Sequence, residues 1–95
     1  MKVRYRAQAL ADIDEIRRYL QKRGPDGARN VLHSIFGSIK FVGENPHASE
    51  ETDDPDVRVK VVLEYPYKIF YSAHPDVIEI LHIRHSSRRP WEGER

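Results

Sequence analysis

Arg58, Lys60 and Lys68, and behind them Arg84, His85, Arg88 and Arg89, are the residues of this chain whose types could do chemistry. Guanidinium and ammonium groups hold negative charge, whether on a phosphate or on the carboxylates of a protein partner. His85 is the natural proton carrier, because an imidazole titrates near neutrality. Each also has a plainer reading. The cations suit a solvated sheet face, and His85, two residues after Ile83, suits a satisfied structural histidine. His33, His47 and His74 stand at unrelated positions with no metal-ligand spacing, and there is no Cys, so neither a metal nor a disulfide is expected. No serine-nucleophile arrangement, phosphate-cradling glycine loop or paired-carboxylate motif is present, and no cofactor is expected. Tyr65, Tyr67 and Tyr71 could stack on bases, but Tyr71 reads better as core.

These side chains need elements to hold them. Val57–Leu63, Tyr67–Ala73 and Val77–His85 each read as a short strand, rich in β-branched and aromatic residues, with Pro66 and Pro75 confined to the connections. Links this short make hairpins, hence an antiparallel meander. With unbroken alternation, Val57, Val59, Val61, Leu63, Ile69, Tyr71, Leu81 and Ile83 form one apolar face. The other face then holds Arg58, Lys60, Lys68, His82 and Arg84, interleaved with Val62, Phe70, Ile78 and Ile80. A face both basic and apolar suggests a partner surface, with Val62, Phe70, Ile78, Ile80, Arg84 and Arg89 as the partner-binding set.

Ahead of the meander, Lys2–Arg6 alternates and reads as a first strand, with Val3 and Tyr5 inward. A helix is expected from about Gln8 to Arg23, with Ala9, Ile13, Ile16 and Leu20 on its apolar stripe and Asp12, Glu15, Arg18 and Lys22 outward. Pro25 and Asp26 suit the first turn of a second helix, and Gly43 with Asn45-Pro46 ends it. Its stripe is Ala28, Val31, Leu32, Ile35, Ile39 and Val42. So short a link makes a helix hairpin, and packing its apolar side on the apolar sheet face gives a two-layer α+β domain of order β-α-α-β-β-β. Ile13, Ile16, Ile35 and Ile39 should be buried between the layers.

The chain has 95 residues, enough for one domain spanning 1–95, with residues 91–95 as a fraying tail. Net charge is only +1, from 16 Lys+Arg against 15 Asp+Glu. The signs are segregated, however: Glu44–Asp56 holds acids and no Lys or Arg, whereas Arg84–Arg89 holds no acid, so an anionic partner would be steered to one side. No apolar run approaches the ~20 residues of a membrane span, and the start lacks a secretory h-region. A soluble cytoplasmic protein is expected.

The words of the chain, in their order, resemble the RelE/ParE superfamily of bacterial type II toxins. They are Ala11-Asp12-Ile13-Asp14-Glu15-Ile16 with Tyr19, Asn45-Pro46, Val57-Arg58, Tyr65-Pro66-Tyr67-Lys68-Ile69-Phe70-Tyr71, and Ile80-Leu81-His82-Ile83-Arg84-His85 with Arg88. The resemblance implies a growth-inhibiting protein neutralised by a cognate antitoxin. It also implies one of two targets: RelE-like members cleave mRNA in the ribosome, whereas ParE-like members poison DNA gyrase without nuclease action. In the cleavers, basic residues of the second and third strands lie near the scissile phosphate, and Arg58, Lys60 and Lys68 are similar in position. Attack by a ribose 2′-OH needs a base, charge on the phosphorane and an acid for the leaving oxygen. Arg58, Lys60, Lys68 and Arg88 would supply charge and His85 the proton. The cleavers often add a C-terminal Tyr, and this chain has none after Tyr71. Because Arg58, Lys60 and Lys68 would share one sheet face, the reading leans to a metal-independent mRNA endoribonuclease, with a gyrase poison, or a decayed toxin that keeps only antitoxin binding, as the other readings.

Overall fold

The computed structural model describes residues 1–86; 87–95, and with them Arg88, Arg89 and Trp91, lie outside the described residues. The elements are β1 (Lys2–Tyr5), α1 (Ala7–Gln21), α2 (Pro25–Glu44), β2 (Glu50–Glu51), β3 (Arg58–Val61), β4 (Tyr67–Ala73) and β5 (Val77–His85). The strands form one sheet in the order β1-β5-β4-β3-β2. Both helices pack on one face of it, so the α+β architecture is the expected one, with two differences. β1 pairs parallel to β5, making the sheet mixed, and the acidic connection contributes the two-residue strand β2.

The helices form where their stripes demand. α1 buries Ala9 and tucks Ile13, Ile16 and Leu20 against the core, the latter three only partly covered. Its last turn closes on Leu20, whose carbonyl accepts the N–H groups of Arg23 and Gly24. α2 opens on Pro25, whose missing N–H is harmless at a first turn, with Asp26 favoured there by the helix dipole. It buries Ala28, Val31, Ile35, Ile39 and Val42 and stops at Asn45, whose side chain donates to the Phe41 carbonyl at 3.1 Å.

On the exposed side of α1, Arg17 donates to Asp14 Oδ1, and Arg18 lies 3.1 Å from Asp14 Oδ2. The hydrogen bond from Arg17 holds the Asp14 carboxyl below its ordinary range. A carboxyl lowered by folding stabilises the fold above its unfolded pKa and loses that contribution as pH falls through the folded value. Asp14→Asn should therefore lower the neutral plateau slightly and flatten the acid limb of the stability profile, leaving the stability at low pH nearly unchanged. Urea midpoints across the carboxylate range check this.

The alternation within each strand holds, but it does not carry across the turns. The Val62 N–H donates to the Tyr67 carbonyl, so residues 63–66 make a four-residue connection and paired numbers sum to an odd value. Odd positions of β3 therefore share a face with even positions of β4. The same inversion occurs where Ala73 meets Ile78, and it reverts midway along the pair: Tyr71 faces Ile80, whereas Phe70 faces His82, with Leu81 the extra residue of a β-bulge.

The faces are corrected accordingly. Val62, Ile78 and Ile80, expected on the open face, lie in the helix-side core with Tyr67, Ile69, Tyr71 and Ile83. Val57, Val59 and Leu81, expected in that core, join Phe70 on the opposite face. Val61 and Leu63 are exposed.

Candidate functional site

The register separates the cations that the sequence suggested would share one surface. Arg58 is the register partner of Tyr71, and Lys60 of Ile69, so both stand on the helix side. Arg58 Nη1 donates to the carbonyl of Ser49 at 2.8 Å and more weakly to that of His47 at 3.4 Å, while Nη2 lies 3.5 Å from Glu51 Oε1. The Tyr71 hydroxyl donates to the Pro46 carbonyl at 2.9 Å from the same face. Two side chains thus strap the connection between α2 and β2 to the sheet. The ammonium of Lys60 sits 4.5 Å from the Phe41 ring centroid, a cation–π contact with α2.

On the open face, Lys68 and Arg84 are direct cross-strand partners, next to the Phe70–His82 pair. The Ser72 hydroxyl donates to the Asp56 carbonyl at 2.8 Å and ties the acidic connection to this face. His85 ends β5, exposed, edge-on to the Tyr67 ring at 5.5 Å. Of the expected charge-and-proton set, Arg58 and Lys60 are therefore on one face, Lys68 on the other and His85 at the strand end, while Arg88 lies outside the described residues. Among the described residues no group of three His, Asp or Glu side chains is placed to hold a metal ion.

A second feature was not legible as a site. Where α1 passes over the end of β5, a groove of about 700 Å3 opens between helix and sheet. Ile16, Leu20 and Val31 form its floor, and Tyr19, Tyr65 and Tyr67 its aromatic wall. Glu15 stands on one rim and Arg23 on the other, the latter with its guanidinium carbon 4.6 Å from the Tyr19 ring centroid. Burial pushes the Tyr67 hydroxyl above its ordinary range, and Tyr19 adds to the shift, so Tyr67 is a neutral hydrogen-bonding group at physiological pH.

The groove exists because β1 stops at Tyr5 while β5 runs on to His85. Among the described residues the outer edge of β5 has no strand neighbour beyond Ile80, and Asp12 takes over: its Oδ2 accepts the Ile83 N–H at 3.0 Å and lies 3.7 Å from His82 Nδ1. Helical periodicity reads Asp12 as outward, whereas its side chain is only 16% exposed. What periodicity lacks is the backbone donor that a strand end presents.

A helix hairpin packed on one face of a five-stranded mixed sheet of this order is the architecture of the RelE/ParE superfamily of small bacterial toxins. The family model described as "ParE toxin of type II toxin-antitoxin system, parDE" matches residues 3–90. A protein of Sinorhizobium fredii (strain NBRC 101917 / NGR234) named "Putative toxin Y4kP" is 31% identical over 88 residues, 93% of this chain and 91% of that one. A solved structure, "Chromosomal ParDE TA system from P. aeruginosa", superposes with a TM-score of 0.77 at 25% identity, covering 90% of this chain and 95% of its own. The chain belongs to the ParE toxin family of type II toxin–antitoxin systems, and its membership implies a cognate antitoxin. Among the described residues no helix is long and apolar enough to cross a membrane.

Proposed function

We propose that this chain is a cytoplasmic toxin that acts by binding DNA gyrase rather than by cleaving mRNA, and that its antitoxin holds it at the α1–β5 groove. The observation that carries the first half is the division of the cations. Cleavage needs base, charge and acid around one phosphate within hydrogen-bond reach. Here Arg58 is spent on loop carbonyls and Glu51, Lys60 lies against Phe41, and Lys68 stands on the opposite face. The match to the ParE toxin family model supports the same reading.

Inducible expression of the full chain tests it. Double-strand breaks and an SOS response should appear while bulk mRNA stays intact, and purified chain should inhibit gyrase supercoiling. Early mRNA loss with unbroken DNA would restore the nuclease reading.

The second half rests on the shape and lining of the groove. An amphipathic antitoxin segment suits an apolar floor with charged rims, in the manner of helix-in-groove recognition. Tyr19, half-exposed on that wall, is a natural anchor. Tyr19→Ala should weaken antitoxin binding about tenfold, equivalent to ~1.4 kcal/mol, with little change in the urea midpoint of the free toxin. Titration calorimetry against the product of the adjacent gene measures this, and an unchanged affinity would place the antitoxin elsewhere.

A further inference from the structure

We propose that the shelf between α2 and the outer edge of β3, remote from the α1–β5 groove, is where a second copy of this chain docks. Leu63 is 88% exposed there, and Phe41 on α2 is 40% exposed. With Gly37, Lys60 and Glu64, Leu63 and Phe41 line a shallow depression of about 330 Å3. So large an exposure of Leu63 in a chain of this size leaves apolar surface that burial would stabilise.

The backbone beside the shelf is also unfinished. Even positions of β3 bond toward β4, as the Val62 N–H does to Tyr67, so odd positions face the outer edge. β2 covers that edge only as far as Val59, opposite Glu50. Among the described residues the outward N–H and C=O of Val61 therefore have no ladder partner, which is the template an added strand uses.

Charge selects the occupant. Lys60 and Glu64 flank the apolar centre, one of each sign. A uniformly acidic or basic segment would meet one of them favourably and the other unfavourably. A second copy related by a two-fold axis brings Lys60 of each chain toward Glu64 of the other, the self-complementarity that an isologous interface requires. Because β2 limits the free edge, the contact is small, and the association belongs in the micromolar range, about 10–100 μM.

Sedimentation equilibrium of the full chain from about 1 μM to about 1 mM tests this. A monomer–dimer equilibrium is expected. Leu63→Glu removes the apolar centre, and Val61→Pro deletes an N–H that faces away from β4, where Pro is tolerated; each should raise the dissociation constant at least about tenfold. Glu64→Lys, at an exposed position, should weaken the dimer too, and Lys60→Glu in the same chain should restore it. A chain that stays monomeric throughout, or a dimer indifferent to all of these changes, overturns the proposal. So does a monomer whose Val61 amide gains exchange protection only with the product of the adjacent gene, since the edge would then belong to the antitoxin.

Discussion

Ile35→Ala is expected to lower the unfolding free energy by about 2–5 kcal/mol. Ile35 is 0% exposed and lies where α2 meets the sheet, in the cluster that contains Ile39, Ile69, Tyr71 and Ile80. Truncation removes three carbons' worth of transfer free energy and leaves a cavity that two rigid layers cannot close. A small domain has only about 5–15 kcal/mol of stability in all, so the variant should be partly unfolded at growth temperature and lose toxicity for that reason. The control is Leu10→Ala on the outer face of α1, where the side chain is 55% exposed and the change should stay within about 0.5 kcal/mol. Urea midpoints of the two variants, measured side by side, decide it; equal losses would mean that the hairpin packs with a different face inward.

The second large effect belongs to Arg58. Viewed as a surface cation, it should be removable without structural cost. Its geometry says otherwise. The side chain is 24% exposed and holds two loop carbonyls and Glu51. Charge-assisted hydrogen bonds of this kind contribute about 1.5–3 kcal/mol, and truncation strands the Ser49 carbonyl. Arg58→Ala should therefore cost about 1–3 kcal/mol and free the connection between α2 and β2. Arg58→Lys should recover only part, since one ammonium cannot span acceptors that the guanidinium fork reaches together. Tyr71→Phe, which removes the hydroxyl bound to the Pro46 carbonyl, should add a smaller loss of about 0.5–1.5 kcal/mol. Temperature separates the roles. If Arg58 acts through the strap, toxicity lost in Arg58→Ala returns in cells grown cooler; if it touches a phosphate, toxicity is lost at every temperature.

Arg58 also marks where the sequence stops being readable. Every described strand except the two-residue β2 was legible when taken singly: Tyr67–Ala73 and Val77–His85 have the bounds expected of them, and both helices lie within two residues of the expected ends. These elements follow from local periodicity, which acts within a strand or a helix turn. The relation between strands depends on how many residues each turn holds and on the bulge at Leu81, and neither leaves a compositional mark. One inversion at residues 63–66 was enough to exchange Val62 for Val59 between faces and to take Arg58 and Lys60 away from Lys68. The groove was hidden for a related reason. It arises from a difference in length between β1 and β5, which are neighbours in space although the 71 residues 6–76 lie between them in sequence.

That pairing of first strand with last has a consequence for when the protein can act. β5 is the last of the described strands to be synthesised, yet it lies between β1 and β4 and carries the Ile83 N–H that anchors Asp12 of α1. Until it emerges from the ribosome, β1 has no neighbour and the helix hairpin covers half a sheet. Contacts this distant in sequence form late, because the intervening chain must be closed first. At about 5–20 residues per second, translation leaves the nascent chain in this open state for several seconds. A toxin whose α1–β5 groove is built on its last described strand cannot present that groove before the strand has emerged.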